Sequence, residues 1–401
     1  MDIVREPAEI GMRWRAFTRA YNADRLGFLS ALPAVGPVVR LAANLVYVSD
    51  PALIETVFRG TNTAFQLALN RRLESTAAGR GDAALEAWMS ARRRAAPAIR
   101  GSATGGDPRG RSELSDQISQ WTAATETVRV VEDLTRLNLR ASVRLVAGGP
   151  EPGLEAGTSA LLPSLIAIVD KGTRLPRPLA LLFRRHRTAR RNDEALRRHV
   201  VDLLDSARPS GILGELVGSE VDRATIANLA VAVLLAGTLV PAAAGSWVLA
   251  LLAGNPEWQD RARTDPTVRT WVINEALRLY PPTWLISRTV AQDGVYAGWR
   301  LREGDEVVIS PYVSHRDPQV FPHPEQFAPD RWAGLRPSIV QYFPFGAGAR
   351  RCMAAELSLQ RLDELILQVL QQTSGLSGDP PQLMSTTSTL FPADLRLRFT
   401  A

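Results

Sequence analysis

The sequence predicts a mostly α-helical fold with a smaller part built from β-strands. Apolar residues recur at helical spacing in several segments between residues 114 and 208 and again over 353–372, and a long apolar stretch lies between them. The segment 284–310 instead alternates short apolar runs with glycine turns, which is typical of strands and hairpins. Helices should therefore form most of the structure.

Composition places the chain among ordinary globular proteins. Of its 401 residues, 45% are hydrophobic and 22% are charged, which allows a sizeable core and excludes wholesale disorder. The length fits two or three domains, or one large helical unit around a buried cofactor. The 47 basic residues exceed the 41 acidic ones, but they form no basic module with interleaved aromatic residues. We therefore expect no nucleic-acid partner, and a modest basic patch for an acidic protein instead.

The single cysteine, Cys352, excludes an internal disulfide and a metal site built from several cysteines. Such low cysteine usage suits a reducing compartment. The N-terminal stretch MDIVREPAEIGMRWRAF carries charges from its second residue and has no apolar core of signal-peptide length. We therefore expect a cytoplasmic location.

Local signals predict one strand and two helices in the first hundred residues. The segment 45–58 indicates a short strand, a turn at Asp50 and Pro51, and a helix that Asp50 caps. The segment 83–96 indicates a helix that Pro97 ends.

Four further segments follow in the second half of the chain. A helix is predicted over 267–279, where two prolines stop it. The proline-rich run 311–345 has little regular pattern, and a loop of that length is normally functional. An amphipathic helix is predicted over 353–372, and the alternation after it indicates a terminal β-hairpin.

The apolar stretch 229–254 has no charged residue and is long enough to cross a bilayer. It is rich in alanine, contains an internal glycine, threonine and proline, and has no second span to return the chain. A helix that is apolar on all sides is equally typical of a buried core helix in a large protein. Taken alone, this stretch leaves both interpretations open.

The string FPFGAGARRCMAAELSLQRL places Cys352 after a glycine-bearing loop and just before a helix. The N–H groups of a helix N-terminus stabilise negative charge on a cysteine sulfur. Gly346 and Gly348 allow the backbone to pass close to a flat, bulky partner. A lone cysteine after a turn is otherwise most often an inert buried residue.

This loop resembles the haem-binding signature of the cytochromes P450, with Phe345, Gly348, Arg350 and Cys352 at the family positions. It departs from the signature at Ala354, where a glycine is usual. The resemblance implies a haem b whose iron is ligated by the Cys352 thiolate, a ligand that favours O–O bond cleavage. It also implies that Arg350 pairs with a haem propionate.

Two residues in NEALRLYPP, Glu275 and Arg278, lie one helical turn apart and resemble the ExxR pair of the same family. An isolated pair at this spacing is more often an ordinary surface ion pair. Family members complete a buried network with an arginine from the following segment. Gln326 occupies the slot in PEQF where we expect that arginine, so Arg331 is the candidate to replace it.

Trp88 and Arg92, four residues apart in AWMSARRRAAP, resemble the WxxxR pair of the family. The resemblance implies that both donate hydrogen bonds to a haem propionate, with Arg288 assisting. An exposed tryptophan beside a helix-face arginine is the ordinary alternative.

The resemblance covers the chain from about Val46 to the C-terminus and implies the cytochrome P450 fold. We accordingly expect one haem-thiolate domain over residues 1–401. Its β-rich lobe is expected to come from about 35–60, 284–312 and 380–401.

The apolar stretch aligns on Ala236, Gly237, Ser246 and Trp247 with the oxygen-binding helix of the family. The resemblance therefore implies a buried helix and no membrane partner. Ala236 and Gly237 are expected to contact the haem.

The same helix departs from the family where oxygenases carry an acid followed by a threonine. Those positions hold Leu239 and Val240, and neither side chain can donate, accept or relay a proton. Pro241 lacks an N–H, so it should release the Gly237 carbonyl from its helical bond and open a kink that has room for water. We therefore assign no catalytic residue.

Two functional interpretations follow. In the first, the protein is a haem-thiolate oxidoreductase that performs an O2-dependent oxidation or oxidative ring formation or coupling. In the second, it is a non-hydroxylating or redox-neutral haem enzyme such as a cyclase, isomerase or dehydratase. The substrate is expected to be a hydrophobic small molecule of secondary metabolism, terpenoid or polyketide-like. Its expected contacts are all apolar: Leu235, Leu239, Val240, Leu285 and Ile286.

An oxygen-using enzyme of this kind needs electrons from a ferredoxin and a ferredoxin reductase, because the chain has no flavin or iron–sulfur segment. Arginines at 92–94, 350, 351 and 361 are expected to suit an acidic ferredoxin. A protein that only binds haem, or a cyclase in which the iron is idle, is the alternative from another class. Terpene cyclases use carboxylate clusters, and no DDxxD-like run occurs here.

Overall fold

The protein is mostly helical with small β-sheets, as predicted. The computed structural model describes residues 4–67, 82–170, 184–205, 209–381 and 384–401. The helices are α1 Trp14–Ala23, α2 Arg25–Val35, α3 Pro51–Arg59, α4 Asp82–Gly105, α5 Pro108–Ala123, α6 Val130–Ala147, α7 Pro152–Asp170, α8 Arg184–Leu204, α9 Gly211–Leu216, α10 Arg223–Ala253, α11 Pro256–Thr264, α12 Pro266–Leu279, α13 Pro311–Ser314 and α14 Ala355–Gln372.

The strands are short and fall mainly where the sequence indicated them. They are β1 Ala8–Glu9, β2 Val38–Ala42, β3 Leu45–Val48, β4 Phe65–Leu67, β5 Ile286–Val290, β6 Gly294–Tyr296, β7 Trp299–Leu301, β8 Glu306–Ile309, β9 Gly375–Ser377, β10 Met384–Thr386, β11 Leu390–Pro392 and β12 Arg398–Thr400. The chain forms two compact units, Met1–Arg71 with Asn274–Cys352, and Arg72–Ile273 with Met353–Ala401. One haem-thiolate domain over the whole chain stays a prediction.

The first unit contains a six-stranded sheet in the order β1-β2-β3-β8-β5-β4. Strand β3 pairs in parallel with β8, and β8 pairs antiparallel with β5. The apolar face of this sheet packs into a core that also includes residues of α3. As the sequence predicted, Asp50 caps α3 by accepting a hydrogen bond from the Leu53 N–H at 2.9 Å.

Two local predictions were wrong. Helix α4 continues through Pro97 to Gly105, because the loss of one backbone hydrogen bond does not by itself end a helix whose apolar face is buried. The terminal segment is not one hairpin, since β9 pairs with β12 and β10 pairs with β11. The β-rich lobe expected from about 35–60, 284–312 and 380–401 stays a prediction, and the strands within 380–401 form pairs outside the six-stranded sheet.

The proline-rich segment 311–345 is fixed to α12 by Glu275, whose side chain is fully buried. Its carboxylate accepts hydrogen bonds from Arg278, from Arg331 Nε at 3.0 Å, from the Ala328 N–H at 3.0 Å and from Trp332 Nε1 at 3.0 Å. A buried carboxylate is costly unless it is paired and hydrogen-bonded, and here both oxygens have several donors.

Arg278 completes this network with all of its N–H groups. Its Nε and Nη2 donate to the Glu275 carboxylate at 2.9 and 2.8 Å, and Nη2 also donates to the Gln326 carbonyl at 3.1 Å. Nη1 donates to the carbonyls of His315 and Pro324 at 3.1 and 2.7 Å. The guanidinium therefore binds three backbone positions of a segment that has almost no strands or helices of its own.

His315 connects two parts of the proline-rich segment 311–345 in the same unit. The side chain is fully buried, and its Nε2 accepts a hydrogen bond from the Phe343 N–H at 2.9 Å. Because Nε2 is the acceptor, the neutral ring carries its proton on Nδ1. Burial, with help from the nearby charges of Arg316 and Arg278, lowers the pKa of His315 to about 3.

Helix α10 is a core helix of the second unit. Asp222 caps it by accepting from the Thr225 N–H at 2.9 Å, and Trp247 Nε1 donates to the Leu390 carbonyl at 2.9 Å. Of the helices in the described ranges, α10 alone is long and apolar enough to span a membrane, and half of its most apolar window is buried. It packs against α6 and α8, which supports the interpretation as a buried helix.

Replacement of Glu275 by glutamine should destabilise the protein strongly. The variant leaves the charges of the buried Arg278 and the partly buried Arg331 without a counterion and turns an amide N–H toward existing donors. We expect a loss of about 3–5 kcal/mol in the free energy of unfolding, measured by urea denaturation. As a control, Glu6→Gln removes an ion pair with Arg300 in which both side chains are exposed, and it should cost about 1 kcal/mol or less. Equal effects in the two variants would contradict this assignment.

Protonation of His315 should contribute to the pH dependence of the free energy of unfolding. The folded protein leaves this ring neutral down to a pKa of about 3, whereas an unfolded histidine titrates near about 6.5. Below about 6.5 the unfolded chain therefore binds more protons. Stability should fall as the pH falls, by up to about 1.4 kcal/mol per pH unit from this residue. His315→Gln keeps an acceptor for the Phe343 N–H and should remove that slope, whereas the exposed His323→Gln should not.

Candidate functional site

The loop that ends at Cys352 has a defined backbone. The Gly346 N–H donates to the Phe343 carbonyl at 2.9 Å, and the Cys352 N–H donates to the Phe345 carbonyl at 2.9 Å. Cys352 is exposed, and α14 begins three residues later at Ala355. The loop therefore presents the sulfur at the surface of the first unit.

The two glycines of this loop have different environments. Both have positive φ values, +66° at Gly346 and +68° at Gly348, which disfavour other residues. A Cβ built at Gly348 would overlap the carbonyl oxygen of Phe58, at the end of α3. A Cβ at Gly346 would meet nothing within 4 Å. Gly348 is needed for close packing inside the unit, and Gly346 leaves an open surface beside the cysteine loop, as a flat cofactor requires.

Two predicted propionate ligands, Arg288 and Arg350, are brought to the same turn after α3. Arg288 Nε donates to Thr61 Oγ1 at 3.4 Å and its Nη1 donates to the Ser287 carbonyl at 2.8 Å. Arg350 Nε donates to Asn62 Oδ1 at 2.9 Å. Two guanidinium groups fixed by adjacent residues create a positive region suited to a carboxylate.

Thr61 and Asn62, which orient these arginines, were not predicted from the sequence. The local signal was weak: Asn62 has a φ of +80°, a conformation that asparagine tolerates in turns. Trp332 was also missed, although its position directly after Arg331 in the sequence offered a hint. Arg331 makes the contact with Glu275 for which it was the candidate, while Gln326 contributes only its backbone carbonyl.

Trp88 and Arg92 lie on one face of α4 in the second unit. The Trp88 side chain is buried, and its Nε1 has no hydrogen-bond acceptor among the residues that the structure describes. A buried N–H without an acceptor is rare and costly. The chemistry of this donor therefore fits an acceptor from a bound group, such as the propionate of a haem.

One section of α10 remains open along an otherwise buried apolar helix. Ala236 is exposed, and Leu235, Gly237, Leu239 and Val240 are partly exposed. None of these side chains carries a proton donor or acceptor. This surface suits contact with an apolar molecule or a flat hydrophobic cofactor.

The other two predicted substrate contacts lie in the first unit. Leu285 is partly exposed, whereas Ile286 is buried in the core cluster beside the six-stranded sheet. Among the described residues, no group of three or more His, Cys, Asp and Glu side chains is arranged to hold a metal ion.

Comparisons with known proteins place the chain in a family. A family model described as Cytochrome P450 matches residues 179–392, more than half of the chain. Cyclooctatin synthase of Streptomyces melanosporofaciens is 31% identical over 286 residues, which cover 60% of each protein. Putative cytochrome P450 135B1 of Mycobacterium tuberculosis is 27% identical and covers 85% of this chain and 79% of the relative. The match thus covers less than two thirds of the first of these relatives.

Solved structures extend the likeness to the whole chain. The crystal structure of CYP175A1 from Thermus thermophilus has a TM-score of 0.80 at 25% identity and covers 99% of this chain and 100% of its own. The haem domain of cytochrome P450DA has a TM-score of 0.81 at 19% identity, covers 99% of this chain and 97% of its own, and supports the fold alone. With the family model, these similarities confirm the predicted fold, and the chain belongs to the cytochrome P450 family.

Proposed function

We propose that this cytochrome P450 catalyses an O2-dependent oxidation, or an oxidative ring formation or coupling, of a hydrophobic small molecule of secondary metabolism. The observation that carries the proposal is the exposed Cys352 at the end of a loop whose open glycine, Gly346, leaves room for a flat cofactor. A thiolate ligand favours cleavage of the O–O bond. Similarity to a protein named for the synthesis of cyclooctatin supports a biosynthetic role.

The bound haem b would supply the iron at which oxygen is activated. Cys352 would ligate that iron, and the four donors with side chains suited to propionates are Trp88, Arg92, Arg288 and Arg350. The remaining proposed contacts pack against the ring, and they are Phe345, Gly348, Ala236 and Gly237. The acceptor missing at Trp88 Nε1 and the pair of guanidinium groups beside Thr61 and Asn62 support this arrangement.

The proposed substrate is terpenoid or polyketide-like. The partly exposed side chains proposed to contact it in the second unit, Leu235, Leu239 and Val240, are all aliphatic. Leu285 adds another partly exposed aliphatic side chain, and Ile286 is the fifth proposed contact. Aliphatic surface binds ligands by removal of apolar area from water and gives no polar anchor. A hydrophobic substrate fits better than a charged one.

Electrons are proposed to come from a ferredoxin and its reductase in the cytoplasm. Arg93 and Arg94 of α4 are exposed and suit an acidic protein partner. Arg361 was expected to join them, but it lies beside the Arg144–Asp107 ion pair, and burial lowers the pKa of its guanidinium. Arg361 is therefore a poor candidate for the docking surface.

A specific observation favours a second candidate function, a non-hydroxylating or redox-neutral reaction such as a cyclisation, isomerisation or dehydration. Leu239 and Val240 occupy the positions of the usual acid and threonine, and the structure leaves both partly exposed. Neither side chain has a proton to give. A reaction that needs no proton delivery to oxygen would not require those groups.

The test is a CO difference spectrum of the purified protein, reduced by NADPH through a surrogate ferredoxin and reductase. We expect the red-shifted band of a thiolate-ligated haem under this enzymatic reduction. Cys352→Ala should lose that band because the sulfur ligand is removed. A dithionite-reduced sample provides the control for haem content.

Either outcome is informative for the reaction class. A thiolate band that appears only with dithionite would disfavour electron delivery and support the redox-neutral candidate. A band that persists in Cys352→Ala, or no band at all, would overturn the haem-thiolate proposal. Oxygen consumption that depends on an apolar substrate would then separate oxidation from simple reduction of the protein.

Trp88→Phe should weaken haem binding without weakening the apoprotein. One hydrogen bond to a charged group is worth about 1.5–3 kcal/mol. Haem affinity should therefore fall roughly tenfold to a hundredfold, measured by transfer to apomyoglobin. The matched control is Trp121→Phe in the same unit, whose indole N–H already donates to Asp133 at 2.8 Å. That variant should destabilise the apoprotein and leave haem affinity unchanged, and the reverse pattern would argue against a propionate contact.

A further inference from the structure

Helix α2 exposes apolar side chains on a face where a surface helix is usually polar. The stripe that it buries consists of Leu26, Leu29 and Leu32. Beyond Arg25 the helix has no charged residue. Its exposed side chains include Ala31, Ala34 and Val35, and Val35 is 49% exposed. Residues three and four apart lie on the same side of a helix, so these three side chains form one apolar strip on the first unit.

The residues at the start of α1 expose larger apolar side chains. Trp14 is 51% exposed, and Met12, two residues before it, is 39% exposed. The ring of Trp14 packs against that of the buried Phe17, with 5.3 Å between the ring centroids. This contact covers part of the indole, and the rest faces water.

The two sets of exposed apolar residues lie at the same end of the pair of helices. A single residue, Asp24, joins α1 to α2, and the Phe28 ring packs against Phe17 with the centroids 5.5 Å apart. At the other end, β1 before α1 pairs with β2 after α2, and a Cβ built at Gly36 would lie 3.4 Å from that of Ala8. The start of α1 and the end of α2 are therefore neighbours. We call their exposed apolar residues the α1–α2 patch: Met12, Trp14, Ala31, Ala34 and Val35.

The α1–α2 patch has a positively charged rim. The exposed cations of this rim are Arg13, Arg15 and Arg19. None of the three forms an ion pair with another residue in the described ranges, and α1 contains no acidic residue. Of the acidic side chains before α1, Glu6 pairs with Arg300 at 2.7 Å. Glu9 lies 4.0 Å from the Arg40 guanidinium. The rim therefore favours an anionic partner.

The combination of apolar surface and charge favours one class of partner. In a symmetric dimer the patch of one copy would contact the same patch of the other, and the arginine rims would repel each other. An exposed indole, aliphatic side chains and flanking arginines are instead typical of segments that bind at the surface of a lipid bilayer. An anionic phospholipid offers both contacts, since its phosphate pairs with the rim and its acyl chains receive the patch.

We propose that the α1–α2 patch is a docking surface for membranes that contain anionic phospholipids. The patch enters the boundary between headgroups and acyl chains, and the three arginines of the rim bind lipid phosphates. Helix α2 lies on the membrane and does not cross it, because its 11 residues span about 16 Å whereas the apolar layer of a bilayer is about 30 Å thick. Helix α10 stays in the core of the second unit and takes no part.

The first experiment is sedimentation of the purified protein with vesicles. We expect binding to vesicles of phosphatidylcholine and phosphatidylglycerol in equal parts, weakened by salt, and little binding to phosphatidylcholine alone. Arg15→Gln should lower the partition coefficient roughly fivefold, and Trp14→Ala should lower it severalfold. The matched controls in the same unit are Arg302→Gln, an exposed arginine, and Ile339→Ala, a side chain that is 56% exposed. Both controls should bind like the wild type.

The second experiment locates the indole. Phospholipids with brominated acyl chains quench only tryptophans that enter the bilayer, so they should quench the wild type and leave Trp14→Phe largely unquenched. Val35→Asp, on the other helix, should also abolish binding and keeps the test decisive if Trp14→Ala does not fold.

Several results would overturn the proposal. These are equal binding to the two kinds of vesicle, no binding to either, or equal binding by Trp14→Ala and Ile339→Ala. A loss with Arg15→Gln but not with Val35→Asp would show attraction by charge alone, as for an acidic protein, and would also overturn it. So would a dimer in sedimentation equilibrium that Trp14→Ala dissociates. Neither experiment uses haem or turnover, so failure of the proposed function would leave both results valid.

Discussion

The buried carboxylate of Glu275 is the interaction on which the first unit depends. A charge removed from water must be compensated in full, and this one receives hydrogen bonds from two guanidinium groups, an indole and a backbone N–H. Arg278 in turn fixes three carbonyls of a proline-rich segment that has little regular secondary structure of its own. The same segment leads, through Phe343 and its bond to His315, into the loop that ends at Cys352. The sulfur is thus positioned from a distance by charge compensation.

Much of the fold could be predicted because the signals were local. The capped helix after Asp50, the helix that ends before two prolines, and the long apolar helix each follow from neighbouring residues. The helix end predicted at Pro97 was wrong because the rule that proline ends a helix considers only local sequence. Burial of the apolar face of α4 stabilises the helix beyond the proline. The pairing of β9 with β12, with the β10–β11 hairpin between them in the sequence, could not be predicted for a related reason. Strand partners are selected by packing, which the alternation of apolar residues does not encode.

The residues of the candidate site also differ in whether the sequence predicts them. The cysteine loop and the pair Glu275–Arg278 could be predicted because their residues are close in sequence and resemble a known signature. The partners of Arg288 and Arg350 were not, because Thr61 and Asn62 are 227 and 288 residues away in the chain. Arg331 was named only as a substitute for Gln326, although it makes the contact with Glu275. Long-range hydrogen bonds of this type leave no periodic trace in a sequence.

The contact of Gly348 with the Phe58 carbonyl has a consequence for the modular exchange of sequence between related enzymes. The cysteine loop and the end of α3 are almost 300 residues apart, yet they fit together with no space for a single methyl group. In a chimera that takes its cysteine loop from a relative, the loop fits only if the end of α3 has the shape that it has in that relative. The smallest part of this site that can be exchanged is therefore a pair of segments, the cysteine loop and the end of α3. The two have to be replaced together.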